Sequence, residues 1–226
     1  RGLLQRVKSG SYLAPPVKRV HIPKGDGKET RGIGMPTIED KVLQRAIAML
    51  LEPIFEQDFK SFSCGFRPGR SAHEALARIW SQCTHQRIQW ILEVDIRKYF
   101  DTLKHEWLRK FLDRRVRDGV IRRLIGKWLK AGVWEKGQMS YPEDGTPQGG
   151  VISPLLSNIY LHEVLDCWYE EEVKPRMKGK TFLVRFADDF ILGFEKKEDA
   201  EKVYRVLFKR FEKYRLSLHP EKTRLV

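Results

Sequence analysis

Hydrophobic positions follow two periods along this chain and divide it into strands and helices. Apolar and polar residues alternate over Val17–Lys24, and a turn at Gly25–Gly27 with a return over Arg31–Pro36 predicts a basic hairpin. A strand is predicted at Trp90–Ile96, and a second hairpin over Phe182–Phe194. Period-two patterns of this kind are typical of sheets that are buried on one face.

Apolar residues at three- and four-residue spacing predict helices between these strands. Thr37 and Ser71 each stand three positions before an acidic residue, as in the capping boxes that begin helices. Further helices are predicted around Leu108, over Val120–Trp128 with an end near Gly132, from Ser153–Pro154 onward, and over Ala200–Tyr214. The order strand, helices, hairpin, helix, strand predicts an α+β fold, in which helices cover one face of an antiparallel sheet.

Composition narrows the class of protein only partly. The 226 residues carry a net charge of +13, a surplus that attracts polyanions but is equally compatible with an ordinary basic protein. Three scattered cysteines argue against a disulfide framework or a structural zinc site. No secretory signal and no membrane-length apolar run is present, so we expect a reduced, cytoplasmic setting without a membrane partner.

Acidic residues stand where strands rarely accept them. Asp95 follows Ile91–Val94 inside the predicted strand, and Asp188 and Asp189 interrupt the apolar run of the second hairpin. Carboxylates placed together repel each other unless a cation offsets them, and hard oxygen ligands suit magnesium. A pair of Mg²⁺ ions on shared carboxylates can support phosphoryl transfer. A polar hairpin turn would explain Asp188 and Asp189 equally well from this pattern alone.

Five segments occur in an order that is similar to one enzyme family. They are Pro36–Lys41, Gly65–Ser71, Val94–Asp101, Gly145–Gly150 with its Pro-Gln-Gly core, and the aromatic-Ala-Asp-Asp segment ending at Asp189. Together they resemble the fingers and palm of group II intron-encoded, maturase-type reverse transcriptases. The resemblance runs from about Lys18 to Thr223. One departure is Phe186, where most intron-encoded relatives carry Tyr; the tyrosine hydroxyl is not a metal ligand.

The resemblance implies a polymerase right-hand fold without a thumb. Residues 1–88 would form the fingers, and residues 89–226 the palm, with a return to fingers elements around 104–145. It also implies an RNA-directed DNA polymerase that uses two Mg²⁺ ions, an RNA template, a DNA or RNA primer and deoxynucleoside triphosphates. A protein of a mobile group II intron would bind intron RNA as well. Oligomeric state is left open.

Roles for individual residues follow from the matched motifs. By resemblance, Asp95 and Asp188 bind both metal ions, and the carbonyl of Ile96 is a further ligand. Asp189 belongs to the same metal-binding set, where it orients the site more than it ligates. Phe100 lies five residues after Asp95, where the family places a ring that clashes with a ribose 2′-hydroxyl and so favours deoxynucleotides.

Basic and loop residues complete the implied site. Gln148 and Gly149 would line the incoming nucleotide, where glycine permits close backbone approach. Lys18 and Lys24 would grip the triphosphate, and Lys222 would help to protonate the leaving pyrophosphate. Four arginines are candidates for nucleic-acid contacts, which at phosphates do not read sequence: Arg19, Arg31, Arg67 and Arg70.

Three alternatives remain at this stage. A nucleotide cyclase would use similar carboxylates, but it lacks the Pro-Gln-Gly segment and the basic amino-terminal region. A non-catalytic, maturase-like RNA-binding module would share the charge, although the intact acidic trio and Phe100 favour catalysis. A CRISPR-associated reverse transcriptase would share all the motifs, and only flanking domains would distinguish it.

Overall fold

The computed structural model describes residues 2–23, 25 and 30–226, so Lys24 and the predicted turn residues Asp26 and Gly27 lie outside the described residues. Helices and strands are interspersed over this part of the chain. The helices are α1 (Leu3–Lys8), α2 (Ile38–Phe55), α3 (Ala72–His85), α4 (Tyr99–Thr102), α5 (His105–Leu112), α6 (Gly119–Leu129), α7 (Ser153–Leu161) and α8 (Lys197–Lys213). The strands are β1 (Val17–Pro23), β2 (Thr30–Met35), β3 (Trp90–Val94), β4 (Val133–Glu135), β5 (Gln138–Ser140), β6 (Thr181–Phe186), β7 (Asp189–Phe194) and β8 (Arg224–Leu225).

One sheet, here called the palm sheet, has the strand order β6-β7-β3-β8 and is antiparallel throughout. Its register places Phe186 opposite Asp189 and Val94 opposite Phe190. Helix α8 packs on strands β3 and β7, where its apolar side contributes Val203, Leu207 and Phe211 to the core. Since Asp95 directly follows Val94, this register brings it to the same end of the sheet as Asp189.

A second sheet, here called the fingers sheet, has the order β2-β1-β4-β5. Lys18 pairs with Met35 in the antiparallel hairpin, and Val17 pairs with Val133 in a parallel contact between β1 and β4. Residues 133–140 therefore lie beside the amino-terminal hairpin although about a hundred residues separate them in sequence. The division into fingers and palm at residue 88 stays a prediction.

Side chains begin the two helices for which capping boxes are predicted. The hydroxyl of Thr37 accepts a hydrogen bond from the amide of Asp40, and that of Ser71 accepts one from Glu74. Each bond satisfies an amide that has no partner inside the helix. The helix predicted from Ser153 is also present, but beyond Leu161 it continues as π-helix over His162–Asp166 and again over Tyr169–Val173. A 3₁₀ turn, Lys174–Arg176, follows.

A single large apolar cluster joins the palm sheet to helices α2, α5, α6, α7 and α8. The predicted α+β class is confirmed by this arrangement of sheets and helices. Across residues 2–23, 25 and 30–226, no helix has both the length and the apolar character needed to span a bilayer.

Candidate active site

The tip of the β6–β7 hairpin carries two of the predicted carboxylates. Ala187 and Asp188 connect the strands, and Asp189 opens β7. Ala187 is buried and has φ +58°, a left-handed conformation that costs a non-glycine residue about 1–2 kcal/mol. Asp188 is half-buried, whereas Asp189 is exposed. Backbone strain of this kind is common at functional sites, where the surrounding structure holds it in place.

The third carboxylate, Asp95, lies beside this tip at the end of β3. Its backbone carbonyl accepts a hydrogen bond from His219 at 2.8 Å, and its carboxylate pairs with Lys222 at 2.9 Å. Asp95, Asp189 and Lys222 together line an open cavity of about 490 Å³. The structure therefore brings Asp95, Asp189 and Lys222 together, and Asp188 directly precedes Asp189 at the same tip.

The charges of this cluster are only partly balanced. Burial raises the pKa of Asp188, and the charges of Asp189 and Asp95 raise it further. Partial desolvation of its carboxylate and the charge of Asp95 raise the pKa of Asp189, while Lys222 and Arg31 oppose that shift. Arg31, on β2, thus acts on both carboxylates from the fingers sheet. The three carboxylates repel one another when all are ionised. A fold that nevertheless holds them together favours a site that binds cations.

The donor set fits magnesium, although not as a preformed cage. Among the described residues, no three His, Cys, Asp or Glu side chains converge closely enough to hold an ion by themselves. Magnesium binds oxygen ligands and usually takes part of its shell from water and substrate phosphates, so open carboxylates are compatible with it. Ile96 forms a bridge to Leu218 whose two hydrogen bonds use the carbonyl of Asp95 and the amide of Arg97. The carbonyl of Ile96 takes part in neither bond.

Phe100 is held by the loop that carries the Pro-Gln-Gly motif. Its ring is half-buried and packs edge-on against Tyr99, with centroids 5.5 Å apart. Its carbonyl accepts a hydrogen bond from Thr146 at 2.8 Å. Gly145 has φ +85°, and a Cβ there would stand 2.8 Å from the same carbonyl. Glycine is therefore required at this approach, and the loop fixes the backbone position of Phe100.

The same loop also contacts the fingers sheet. The carbonyl of Gln148 accepts a hydrogen bond from Gly34 of β2 at 2.6 Å. Gly149 has φ +112°, and a Cβ there would stand 2.7 Å from the carbonyl of Gly34. Gln148 and Gly149 thus lie between the segment of Phe100 and strand β2. Lys18 is exposed on β1, the neighbouring strand of that sheet.

Three of the predicted nucleic-acid arginines are engaged with acids of the chain itself. Arg67 is buried, and its guanidinium binds Glu56 and the carbonyls of Lys60 and Ser63. Arg70 pairs with Glu74, and Arg19 lies 3.6 Å from Glu135. The geometry of Arg67 does not favour direct phosphate contact. The roles of all three stay predictions.

A buried polar network beneath the hairpin was missed by reasoning from the sequence. Arg185 of β6 is fully buried and forms a two-point contact with Asp166, at 2.9 and 2.6 Å. Its remaining nitrogen donates to the side chain of Asn158 and to the carbonyl of Ala187, both at 2.9 Å. The signal was present: Arg185 follows Phe182, Leu183 and Val184, and a charge in such a run requires a buried partner.

Comparison with known proteins identifies the family. The family model described as reverse transcriptase (RNA-dependent DNA polymerase) matches residues 22–226. The chain belongs to the reverse transcriptase family. This match decides against the nucleotide cyclase alternative and covers every described element from the end of β1 onward.

Relatives of this reverse transcriptase include an intron-encoded protein. The chain is 43% identical over 162 residues to the group II intron-encoded protein LtrA of Lactococcus lactis, covering 72% of this chain and 27% of LtrA. It is 39% identical over 218 residues to the protein YkfC of Escherichia coli, covering 84% of this chain and 57% of that protein. The chain therefore spans between about a quarter and three-fifths of these relatives.

Solved structures of similar fold confirm the polymerase architecture. Telomerase from Candida albicans, in complex with a fragment of telomeric RNA, superimposes with a TM-score of 0.73 over 97% of this chain and 44% of that chain. Apo telomerase from Candida tropicalis, truncated from its C-terminal domain, gives 0.72 over 98% of this chain and 53% of that chain. Sequence identity is 16% in both cases, so the likeness concerns the fold, the right-hand arrangement of a reverse transcriptase.

Proposed function

We propose that this chain forms the fingers and palm of an RNA-directed DNA polymerase of the group II intron type. The observation that carries this function is the meeting of Asp95, Asp188 and Asp189 at one end of the palm sheet. Phe100 and the Gln148 loop add a nucleotide-selecting element that a purely RNA-binding module would not need. The similarity to LtrA supports the intron branch over a CRISPR-associated setting.

Each residue has a definite task in this proposal. Asp95, Asp188 and the carbonyl of Ile96 would hold two Mg²⁺ ions, which supply activation of the primer hydroxyl and stabilisation of the leaving oxygen. Asp189 would orient the acidic cluster. Lys222, which pairs with Asp95 at 2.9 Å, would donate a proton to the leaving pyrophosphate.

The nucleotide is positioned by the surrounding elements. Gln148 and Gly149 would line its base and sugar, and Phe100 would exclude a 2′-hydroxyl. Lys18, with Lys24, would bind the triphosphate. Arg31 would also serve there or on template phosphate, because its charge reaches both Asp188 and Asp189 and therefore the place where the phosphates would lie.

Primer extension tests this function. The full-length protein, with an RNA template, a DNA primer, deoxynucleotides and magnesium, should extend the primer, and Asp188→Ala should remove the activity. Asp58→Ala is a matched control, because Asp58 pairs only with surface Arg115, at 3.0 Å, on the described part of the chain. We expect it to retain activity. Tight RNA binding without extension by the unmodified protein would favour the non-catalytic, maturase-like alternative.

We further propose that intron RNA binds a second basic surface, a groove between the amino-terminal segment and helices α5 and α6. This groove has a volume of about 720 Å³ and shares no lining residue with the cavity at the carboxylates. Exposed Arg109, Arg123 and Lys130 face it without a side-chain hydrogen bond or ion pair to any described residue, and Tyr141 adds an exposed ring. A positive groove with an aromatic platform suits single-stranded nucleic acid.

Charge-matched variants separate this groove from the polymerase site. Arg123→Gln with Lys130→Gln should weaken binding of structured intron RNA about tenfold and lower the salt dependence by about two phosphate contacts. Extension of a short primer–template should remain within about twofold. Lys202→Gln with Lys209→Gln removes the same charge from α8 and should affect neither. Equal loss in both double variants would show that only net charge matters.

A further inference from the structure

The buried ion pair between Arg185 and Asp166 is more elaborate than packing requires. Both side chains have no exposed surface, and such a pair often stabilises a core less than apolar residues of similar size would. All three guanidinium nitrogens of Arg185 are used, on Asp166, on Asn158 and on the carbonyl of Ala187. A site of this kind fixes one geometry, because each partner has a single favourable position.

The geometry that it fixes is that of the catalytic turn. The carbonyl bound by Arg185 belongs to Ala187, which has φ +58° and directly precedes Asp188. The amide of Asn158 donates to the carbonyl of Gly65 at 2.8 Å. A Cβ on Gly65 would lie far inside contact distance of the backbone of Ala187. The strained residue is therefore held on one side by a charged hydrogen bond and on the other by close backbone contact.

Strand β6 is tied to the same support. The amide of Arg185 donates to the carbonyl of Phe62 at 3.0 Å, and its carbonyl accepts from Cys64 at 2.8 Å. The segment before Gly65 therefore extends the edge of the palm sheet at the position from which the arginine side chain projects. Movement of Arg185 would therefore shift both the turn at Ala187 and the segment before Gly65 that pairs with strand β6.

We propose that Arg185 is a positioning residue: through the carbonyl of Ala187 it fixes Asp188 and Asp189 relative to Asp95 and thereby sets the affinity of the site for divalent cations. This inference rests on the proposed function for the identity of the site. Substitution of a residue that orients a metal ligand typically lowers metal affinity or activity about 10–100-fold. A lysine at this position keeps the charge but cannot span three partners, since the planar guanidinium fork is specific to arginine.

The test uses Arg185→Lys in the full-length protein and two readouts. The first is the dissociation constant for Mn²⁺ in the presence of dTTP, measured by electron paramagnetic resonance. The second is kcat for primer extension against magnesium concentration. We expect the Mn²⁺ dissociation constant and the magnesium midpoint to rise about tenfold and kcat to fall about 10–100-fold, with partial rescue at high magnesium. The primer–template dissociation constant should change by less than about twofold.

Arg210→Lys is the matched control. Arg210 is a partly buried arginine that contacts the same π-helical segment, because it donates to the carbonyls of Glu163 and Val164 at 3.1 and 2.9 Å. No hydrogen bond or ion pair joins it to the described residues of the hairpin. It should leave the Mn²⁺ affinity unchanged. If Arg185→Lys does not fold, Asn158→Ala takes its place, because it removes one contact to Arg185 and the contact to Gly65.

The outcomes are distinct. Unchanged Mn²⁺ affinity and unchanged magnesium midpoint in a folded Arg185→Lys protein, or in Asn158→Ala where it substitutes, would overturn the positioning role. If the role of Arg185 were purely structural, fewer molecules would be active, and the amplitude of the first turnover would fall. The Mn²⁺ dissociation constant and the magnesium midpoint would stay unchanged. If the unmodified protein never extends primers yet loses Mn²⁺ affinity on Arg185→Lys, the polymerase proposal fails while the positioning role stands.

Discussion

At the scale of the residue, the proposed function assigns to Phe100 the choice between deoxyribose and ribose. Its backbone is fixed by Thr146 and its ring by Tyr99, so the ring has little freedom to retreat from a 2′-hydroxyl. We expect Phe100→Val to raise the efficiency of ribonucleotide incorporation at least about tenfold, since a removed clash in a packed site is worth about 1–3 kcal/mol. The measurement is the ratio of kcat/KM for dCTP to that for CTP.

Phe208→Val serves as the control for this change. Phe208 is also a partly buried aromatic residue, packed edge-on against Tyr204 on helix α8. The same loss of volume there should leave the sugar ratio unaltered. An unaltered ratio in Phe100→Val as well would assign the choice of sugar to another residue.

Single acidic residues were predictable because they contradict their surroundings. Asp95, Asp188 and Asp189 stand in apolar strands, and that conflict is visible without a structure. The environment of Arg67 was not predictable. A Gly-Phe-Arg-Pro-Gly-Arg turn suggests two exposed cations, but Glu56, eleven residues earlier on the chain, turns toward Arg67 and encloses it.

At the scale of the element, the start of α5 contains a pH-sensitive contact. His105 is buried, and its Nε2 donates a hydrogen bond to the carbonyl of Gly145 at 2.6 Å. Its pKa is lowered mainly by burial, and the charges of Arg109 and Lys130 add to the effect. Asp144 opposes the shift. In the folded protein this ring therefore stays neutral to lower pH than in the unfolded chain.

The sign of the resulting pH dependence is definite. Below about pH 6.5 the unfolded chain binds a proton at His105 that the folded protein does not, so the free energy of unfolding falls as pH falls. The slope from one histidine is at most about 1.4 kcal/mol per pH unit. We expect His105→Gln to reduce the loss of stability between pH 7.5 and 5.5 in urea unfolding. His73→Gln, at an exposed histidine, should leave that loss unchanged.

Helix caps and hydrophobic periods predicted most helices and strands, but they did not predict the short or irregular ones. Thr37 and Ser71 mark their helices because a cap is a contact between near neighbours. The β4–β5 hairpin was missed because each strand has three residues and β5 is exposed throughout, so neither shows a period. Strand β4 pairs with β1 as well as with β5, and a partner as distant along the chain as β1 is not encoded in any local window.

At the scale of the whole molecule, the Pro-Gln-Gly loop connects the two sheets. Gly149→Ala would place a methyl group against Gly34 and push the loop away from strand β2. We expect the KM for deoxynucleotides in primer extension to rise about tenfold, equivalent to about 1.4 kcal/mol. Gly137→Ala is the control, since its φ of +84° imposes similar backbone strain but its Cβ would meet nothing within 4 Å. An equal effect of both changes would mean that strain alone is responsible.

The global arrangement was predictable only through the ordered motifs. Periodicity and charge gave an α+β protein that attracts polyanions, but they did not specify that residues 133–140 join the amino-terminal hairpin. They also did not specify that β2 would bring Arg31 toward the carboxylates. Both facts depend on contacts between segments far apart on the chain, and the sequence pattern contains no direct record of them.

The π-helical turn after α7 changes the direction in which later side chains point around the helix axis. In a regular α-helix, successive residues advance by about 100°, so Asn158 and Asp166, eight positions apart, would point about 80° away from each other. The π turn over His162–Asp166 closes across five residues instead of four and advances the chain less per residue. This lag brings Asp166 round toward the side of Asn158, where both meet Arg185. A regular α-helix of the same length would instead leave Asp166 about 80° away from Asn158 and out of reach of Arg185, so the less regular helix is the one that supports the turn before Asp188.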